Sequence, residues 1–193
     1  MQIARFVLSS AVPPEIRVHF ETAKNLFLYA WFVYRFHPVA EQQVLASLEF
    51  ALRERLKGEK DSASRRSGLS ALLKTAQIRG LIRNDAIRNC AQWAMELARE
   101  RYRHEALQQM IGSNTEEMIL DETDVQPTDA DLTYDWIGNF VESLPRIRNI
   151  HAHGTGMLYP NVLRTFDIVS DLINQLYGSD RVSPLNDGYP AHC

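Results

Sequence analysis

Apolar residues recur at spacings of three and four along almost the whole chain, and nowhere do they alternate with polar ones over a strand's length. That period restricts the chain to helices that each bury one face. Ile16, Phe20, Ala23, Phe27, Ala30 and Tyr34 form the first stripe, behind Pro13 and Pro14, which suit a first helical turn. Pro38 is expected to end this helix near Phe36 and to open a second, faced by Val44, Leu45, Leu48, Leu52 and Leu56. Gly58 and the polar run 59–67 read as a stop and a loop.

A third, shorter helix carries Leu69, Leu72, Leu73 and Ala76, with Gly80 as its C-terminal cap. Asn84 is expected to cap a fourth, which runs through Ala91, Ala94, Leu97 and Leu107 towards Gly112. Residues 113–131 hold seven carboxylates and no Lys or Arg, and read as an acidic, mobile connection in which Met118 to Leu120 could dock on the core. Asp129 or Asp131 then caps a helix that buries Trp136, Ile137, Phe140, Val141 and Leu144. Pro145 is expected to break or kink it, with Ser143 recapping a continuation that ends at Gly154 and Gly156. Pro160 starts the last helix, faced by Val162, Phe166, Val169, Ile173 and Leu176. The expected fold is therefore all-α, an antiparallel helical bundle of five to six helices. It forms one domain over residues 1–178, with a loose tail over 179–193.

The chain has 193 residues, 45% of them hydrophobic, enough to bury a core without disulfides or metals. Its net charge of −3 gives no global positive field, so any contact with nucleic acid must rest on a local basic patch. Cys90 and Cys193 stand far apart, which is neither a disulfide framework nor a zinc pattern and fits a reducing compartment. The apolar run after Arg5 is too short for a signal-peptide core, and no stretch is long enough to span a membrane. A cytoplasmic protein without membrane contact is expected.

The run from Arg146 to Gly154 concentrates the reactive side chains. Asn149 and His153 are four apart and share a helix face, and Arg148 has the length to curl towards them. A guanidinium offers planar paired donors to a phosphate, a histidine moves a proton near neutral pH, and Asn149 can orient either. These are the parts needed to cleave a phosphodiester without a metal. The plainer reading is structural: His153 would complement the helix dipole and Arg148 would pair with a bundle carboxylate such as Glu49. Glu49 itself either pairs with Arg53 one turn on or holds a motif arginine in place. His151 is read first as a satisfied or exposed histidine and second as a supporting residue. No acidic or cysteine ligand stands near the histidines at useful spacing, so no metal and no cofactor is expected. There is no phosphate-cradling glycine loop.

The string Arg148-Asn149-Ile150-His151-Ala152-His153 resembles the RNxxxH signature of the HEPN superfamily. The bare Arg-to-His spacing also joins Arg99 to His104 and Arg146 to His151. Only Arg148 with His153 has Asn second, Gly after His, and a final amphipathic helix beyond. The segment from Leu48 to Arg55 is also similar to bacterial HEPN-like proteins related to abortive-infection factors. The resemblance covers residues 132–177 best. It implies a four-helix bundle with extra short helices that pairs as a homodimer, and a metal-independent endoribonuclease of toxin or phage-defence kind, cleaving RNA through 2′-hydroxyl attack. It implies that His153 is the acid or base, that Arg148 grips the scissile phosphate, and that Asn149 is the motif's polar second position; an antitoxin or other protein partner belongs to the same expectation. The alternative is a non-catalytic HEPN-like dimeric module that binds nucleotide, RNA or protein.

Two further features concern partners. Arg79, Arg83, Arg88, Arg99, Arg101 and Arg103, with Tyr102 and His104, could track an RNA backbone, although interleaved glutamates also suit a solvated face. Phe27, Tyr29, Trp31, Phe32, Tyr34 and Phe36 cover more than one side of the first helix, and the excess is either core or a dimer surface.

Overall fold

The computed structural model describes residues 2–57, 68–152 and 162–178, without the side chains of His151 and Ala152. Within them the chain is all-α and has no strand. The helices are α1 (Pro14–Tyr29), α2 (Phe36–Arg55), α3 (Leu69–Ile78), α4 (Cys90–Ser113), α5 (Asp129–Leu132), α6 (Trp136–Ala152) and α7 (Val162–Gly178), with 3-10 turns at Gln2–Arg5 and Asn84–Ala86. The described residues fall into two compact units, 2–86 with 137–178, and 87–136. The loop expected at 58–67, Gly154, Gly156, Pro160 and the tail 179–193 lie outside the described residues.

In the first unit α1 and α2 run antiparallel. His19 meets Gln43 (3.2 Å) while Phe27 meets His37 (ring centroids 5.2 Å apart), so the numbers fall on one helix as they rise on the other. α2 and α7 run parallel: Thr165 bonds Glu41 at one end, and Tyr177 bonds the Ala51 carbonyl at the other. The expected stripes are buried, with Ile16, Phe20, Leu45, Leu48, Phe166 and Ile173 all fully enclosed. Phe166 is the hub, with the rings of Phe6, Phe20 and Phe27 at 6.3, 5.8 and 5.9 Å.

The first helix ends at Tyr29, well before Phe36. Residues 30–35 instead form successive tight turns that lead into α2, among them Phe32 N–H to the Tyr29 carbonyl and Phe36 N–H to the Val33 carbonyl. α2 then starts at Phe36, which puts Pro38 in a first turn where its missing N–H costs nothing. Trp31, Phe32 and Tyr34 are left 88%, 81% and 63% exposed, so this part of the aromatic cluster is not core.

α3 closes as expected. Gly80 takes φ +65°, its N–H reaches the Gln77 carbonyl, and Leu81 N–H reaches Ala76, a full Schellman cap. Pro145 does not split α6, which continues through it, and Ser143 bonds Asn139 instead of recapping a new helix. The N-terminal segment packs on α7. Asn174 accepts from Ser9 N–H at 2.8 Å and donates to the Val7 carbonyl at 3.0 Å, while Ile3, Phe6, Leu8 and Val12 are buried.

In the second unit Asn84 does not cap α4, which begins at Cys90 and is unbroken to Ser113. Asn114 at φ 51° ends it, past the expected Gly112. Cys90 is not a free thiol, which departs from the reduced cysteines expected; Cys193 lies outside the described residues. The acidic connection is tied to α4 by its charges: Glu122 takes both Arg103 Nε and Nη2, the latter at 2.9 Å. Of the residues expected to dock, Ile119 and Leu120 are exposed and only Met118 is half-buried. Thr128, ahead of Asp129 and Asp131, is the N-cap of α5, with Asp131 completing a capping box. Trp136 packs its ring on Trp93 and Tyr134.

Candidate functional site

α6 carries the motif on its last turns. Its apolar positions Ile137, Phe140, Val141 and Leu144 are buried, which turns the intervening residues outward. Arg148 and Asn149 are both exposed. Arg148 Nη1 lies 3.5 Å from Asn149 Oδ1, a long contact between neighbours. Arg148 Nη2 lies 3.6 Å from Glu49 Oε2 on α2. The same carboxylate accepts from Arg53 Nη2 at 2.6 Å and Nε at 3.2 Å. Glu49 therefore pairs along its own helix, and it also lies within ion-pair distance of the motif arginine. The side chain of Glu49 is 17% exposed and that of Arg148 47%, so the carboxylate is fixed against the bundle while the guanidinium faces water.

His153 lies outside the described residues, and of His151 only the helical backbone is described. The structure thus brings together Arg148, Asn149 and Glu49. Among the described residues no group of histidines, cysteines and carboxylates is placed to hold a metal.

A second feature lies on other faces of α6. A cavity of about 740 Å³ opens between α2, α6 and α7, walled by Phe140, Leu144, Ile147 and Ile168. Glu41 and Thr165 bring polar atoms to it, and Arg146 and Arg164 line it as exposed cations. Glu41 is only 4% exposed and accepts from Thr165 Oγ1 at 2.5 Å. Sequence reasoning passed over Glu41, although its place one turn before Val44 and Leu45 puts a carboxylate in the apolar stripe of α2. Such a residue needs a partner inside the bundle.

The basic stretch in the middle of the chain is partly spent on internal pairing. Arg101 makes paired bonds to the buried Asp131, at 2.6 and 2.8 Å. The hydrogen bonds from Arg101, with those of Thr128, hold the Asp131 carboxyl well below the usual carboxylate range, against the opposing effect of its burial. Arg103 is likewise raised by its bond to Glu122.

Fold and site together define an all-α protein with an exposed arginine–asparagine pair at the end of one helix and a carboxylate from another helix 3.6 Å from the arginine. No helix among the described residues is long and apolar enough to cross a membrane. Comparison with protein-family models, with curated proteins and with solved structures finds no match.

Proposed function

We propose that the chain is a metal-independent endoribonuclease of the HEPN type. The observation that carries the reading is the exposed Arg148 guanidinium, set beside Asn149 and 3.6 Å from Glu49, at the motif's place in α6. An exposed guanidinium, with its planar paired donors, suits a phosphate that must enter from solvent. In the proposed reaction a ribose 2′-hydroxyl attacks the adjacent phosphorus and the bond to the 5′-oxygen breaks. The products are a 2′,3′-cyclic phosphate and a 5′-hydroxyl. Arg148 stabilises the charge that develops on the phosphoryl oxygens, and His153 exchanges the proton with the attacking or leaving oxygen.

The same reading carries a homodimer, for which the exposed turn of Trp31, Phe32 and Tyr34 supplies apolar surface. It also carries a toxin or phage-defence role with a restraining protein partner, for which the sequence resemblance is the support.

The test is cleavage of a panel of single-stranded and structured RNAs in EDTA, with the ends of the products determined. Wild-type protein should leave cyclic phosphates, and Arg148→Ala and His153→Ala should remove cleavage while keeping helical content and melting temperature. Wild-type protein that binds RNA without turnover would turn the assignment to a binding module; cleavage that survives both substitutions would overturn it.

A further inference from the structure

We infer that residues 116–121, which follow α4, are a docking segment for a partner protein that takes them as an added strand on a β-sheet edge flanked by lysine or arginine. The segment lies in the second unit and holds none of the motif residues, so the inference goes beyond RNA cleavage and does not rest on it. Ile119 is 98% exposed and Leu120 is exposed beside it. The last turns of α4 expose Leu107 and Ile111 as well. The segment is held at both ends. Behind the left-handed Asn114, Thr115 N–H bonds the Met110 carbonyl at 3.0 Å, and Glu122 takes the Arg103 guanidinium. Between these anchors residues 117–122 form no helix and no turn, and every φ is negative. Among the described residues no backbone group from Glu117 to Asp121 takes an internal hydrogen bond. That leaves a row of N–H and C=O groups open to a second chain, as on the edge of a sheet. The described residues contain no strand that could fill the place.

Charge selects the partner. Glu116, Glu117 and Asp121 flank the apolar triplet, and the sequence has no lysine or arginine between Arg103 and Arg146. Glu122 spends its charge on Arg103, while the other three have no cation opposite them among the described residues. The Thr123 hydroxyl and then its N–H hold the Asp121 carboxyl below its ordinary value, so it stays ionised. These charges repel RNA and an anionic membrane. Two copies paired antiparallel about Ile119 would set Glu117 opposite Asp121, and like charges directly opposite are destabilising. In a strand, Glu117, Ile119 and Asp121 share one face. A sheet edge with cations at its ends and aliphatic residues between them matches that face, and its backbone groups pair with the open ones. Because both ends are already held, less ordering is lost on binding.

The test is NMR titration of the full chain with a cyclised β-hairpin peptide whose outer strand has lysines at both ends and valines between. Alternate amides within 117–121 should become protected from exchange, because a ladder bonds every second residue on one edge. The hairpin should bind at least about tenfold tighter than one with glutamates in place of its lysines. Methylating the N–H groups of its outer edge should weaken it by at least about tenfold. Ile119→Ala and Glu117→Lys, both at exposed positions, should each weaken binding several-fold at unchanged melting temperature. Phosphatidylserine vesicles, a 2′-O-methylated single-stranded RNA and concentrated chain alone test the other occupants, and none should protect these amides. The RNA cannot be cut by 2′-hydroxyl attack, so the outcome stands apart from the cleavage assay. Protection by vesicles, RNA or a second copy in place of the hairpin overturns the inference. So does equal binding of the lysine and glutamate hairpins, or no binding at millimolar concentration.

Discussion

Glu49 holds Arg53 at 2.6 Å and lies 3.6 Å from Arg148, so one carboxylate links its own helix to the motif-bearing helix. The Arg148 contact is half-exposed and longer than a hydrogen bond. Solvent screens such a pair, and its contribution to folding is below about 1 kcal/mol. On the proposed reading its value is directional: it biases where the guanidinium sits before a phosphate arrives.

Glu49→Gln should therefore leave the melting temperature within about 3 °C of wild type. It should lower the rate of RNA cleavage by no more than about tenfold, the equivalent of about 1.4 kcal/mol in the barrier. Single-turnover rates beside thermal melts check this. A large fall in melting temperature with unchanged cleavage would make Glu49 a purely structural residue.

Phe166 and the Trp31–Tyr34 turn should respond in opposite ways. Phe166 is fully buried against three other phenylalanine rings, and truncation leaves a cavity in a close-packed core. Phe166→Ala should cost about 3–5 kcal/mol. Trp31 and Phe32 are almost wholly exposed, so Trp31→Ala and Phe32→Ala should change stability by less than about 0.5 kcal/mol. Chemical denaturation of the three variants measures both. A marked loss on removing Trp31 would mean that the turn is covered in solution.

The contrast also explains what could be read from the sequence. The buried stripes of α2, α3, α6 and α7 were legible because burial imposes a helical period. The end of α1 was not: Trp31 to Tyr34 are as apolar as core residues, so hydrophobicity alone continued the helix into a turn. Gly80 was legible because its cap is local, closed within five residues. Asn84 was not, because its partner is an amide 53 residues away. At the site, the residue types of the motif were plain, and the Glu49 contact was one of two options for that carboxylate. Spacing within α2 could suggest Arg53 but could not place α6 alongside.

Asp131 gives the second unit its own pH dependence. Its native carboxyl titrates below the ordinary value of about 3.9, chiefly through Arg101 and then Thr128. Stabilisation from a lowered carboxylate is present above that ordinary value and is lost as pH falls from it through the native one. Residues 87–136 should loosen below about pH 4. Trp93 and Trp136 both lie in this unit and report on it by fluorescence in a Trp31→Phe background, which leaves no other tryptophan. Asp131→Asn should cost about 2 kcal/mol near neutral pH, as a charge-assisted pair and half a capping box are lost. It should also flatten the acid transition. An acid transition of unchanged depth in the variant would assign it to other carboxylates.

Asn84 makes the last prediction. Its Oδ1 accepts from Ile137 N–H at 2.9 Å, satisfying one of the early α6 amides that no helical carbonyl can reach. The 3-10 turn Asn84–Ala86 thereby acts as a cap supplied from a distant part of the chain. Asn84→Ala should cost about 1 kcal/mol, the usual loss for a helix cap, and Asn84→Asp should retain most of it because a carboxylate accepts equally well and suits the positive end of the helix. Amide exchange at Ile137 is the direct readout: it should accelerate in Asn84→Ala and stay slow in Asn84→Asp. Equal protection in both variants would show that another group satisfies this amide and that Asn84 is held for a different reason.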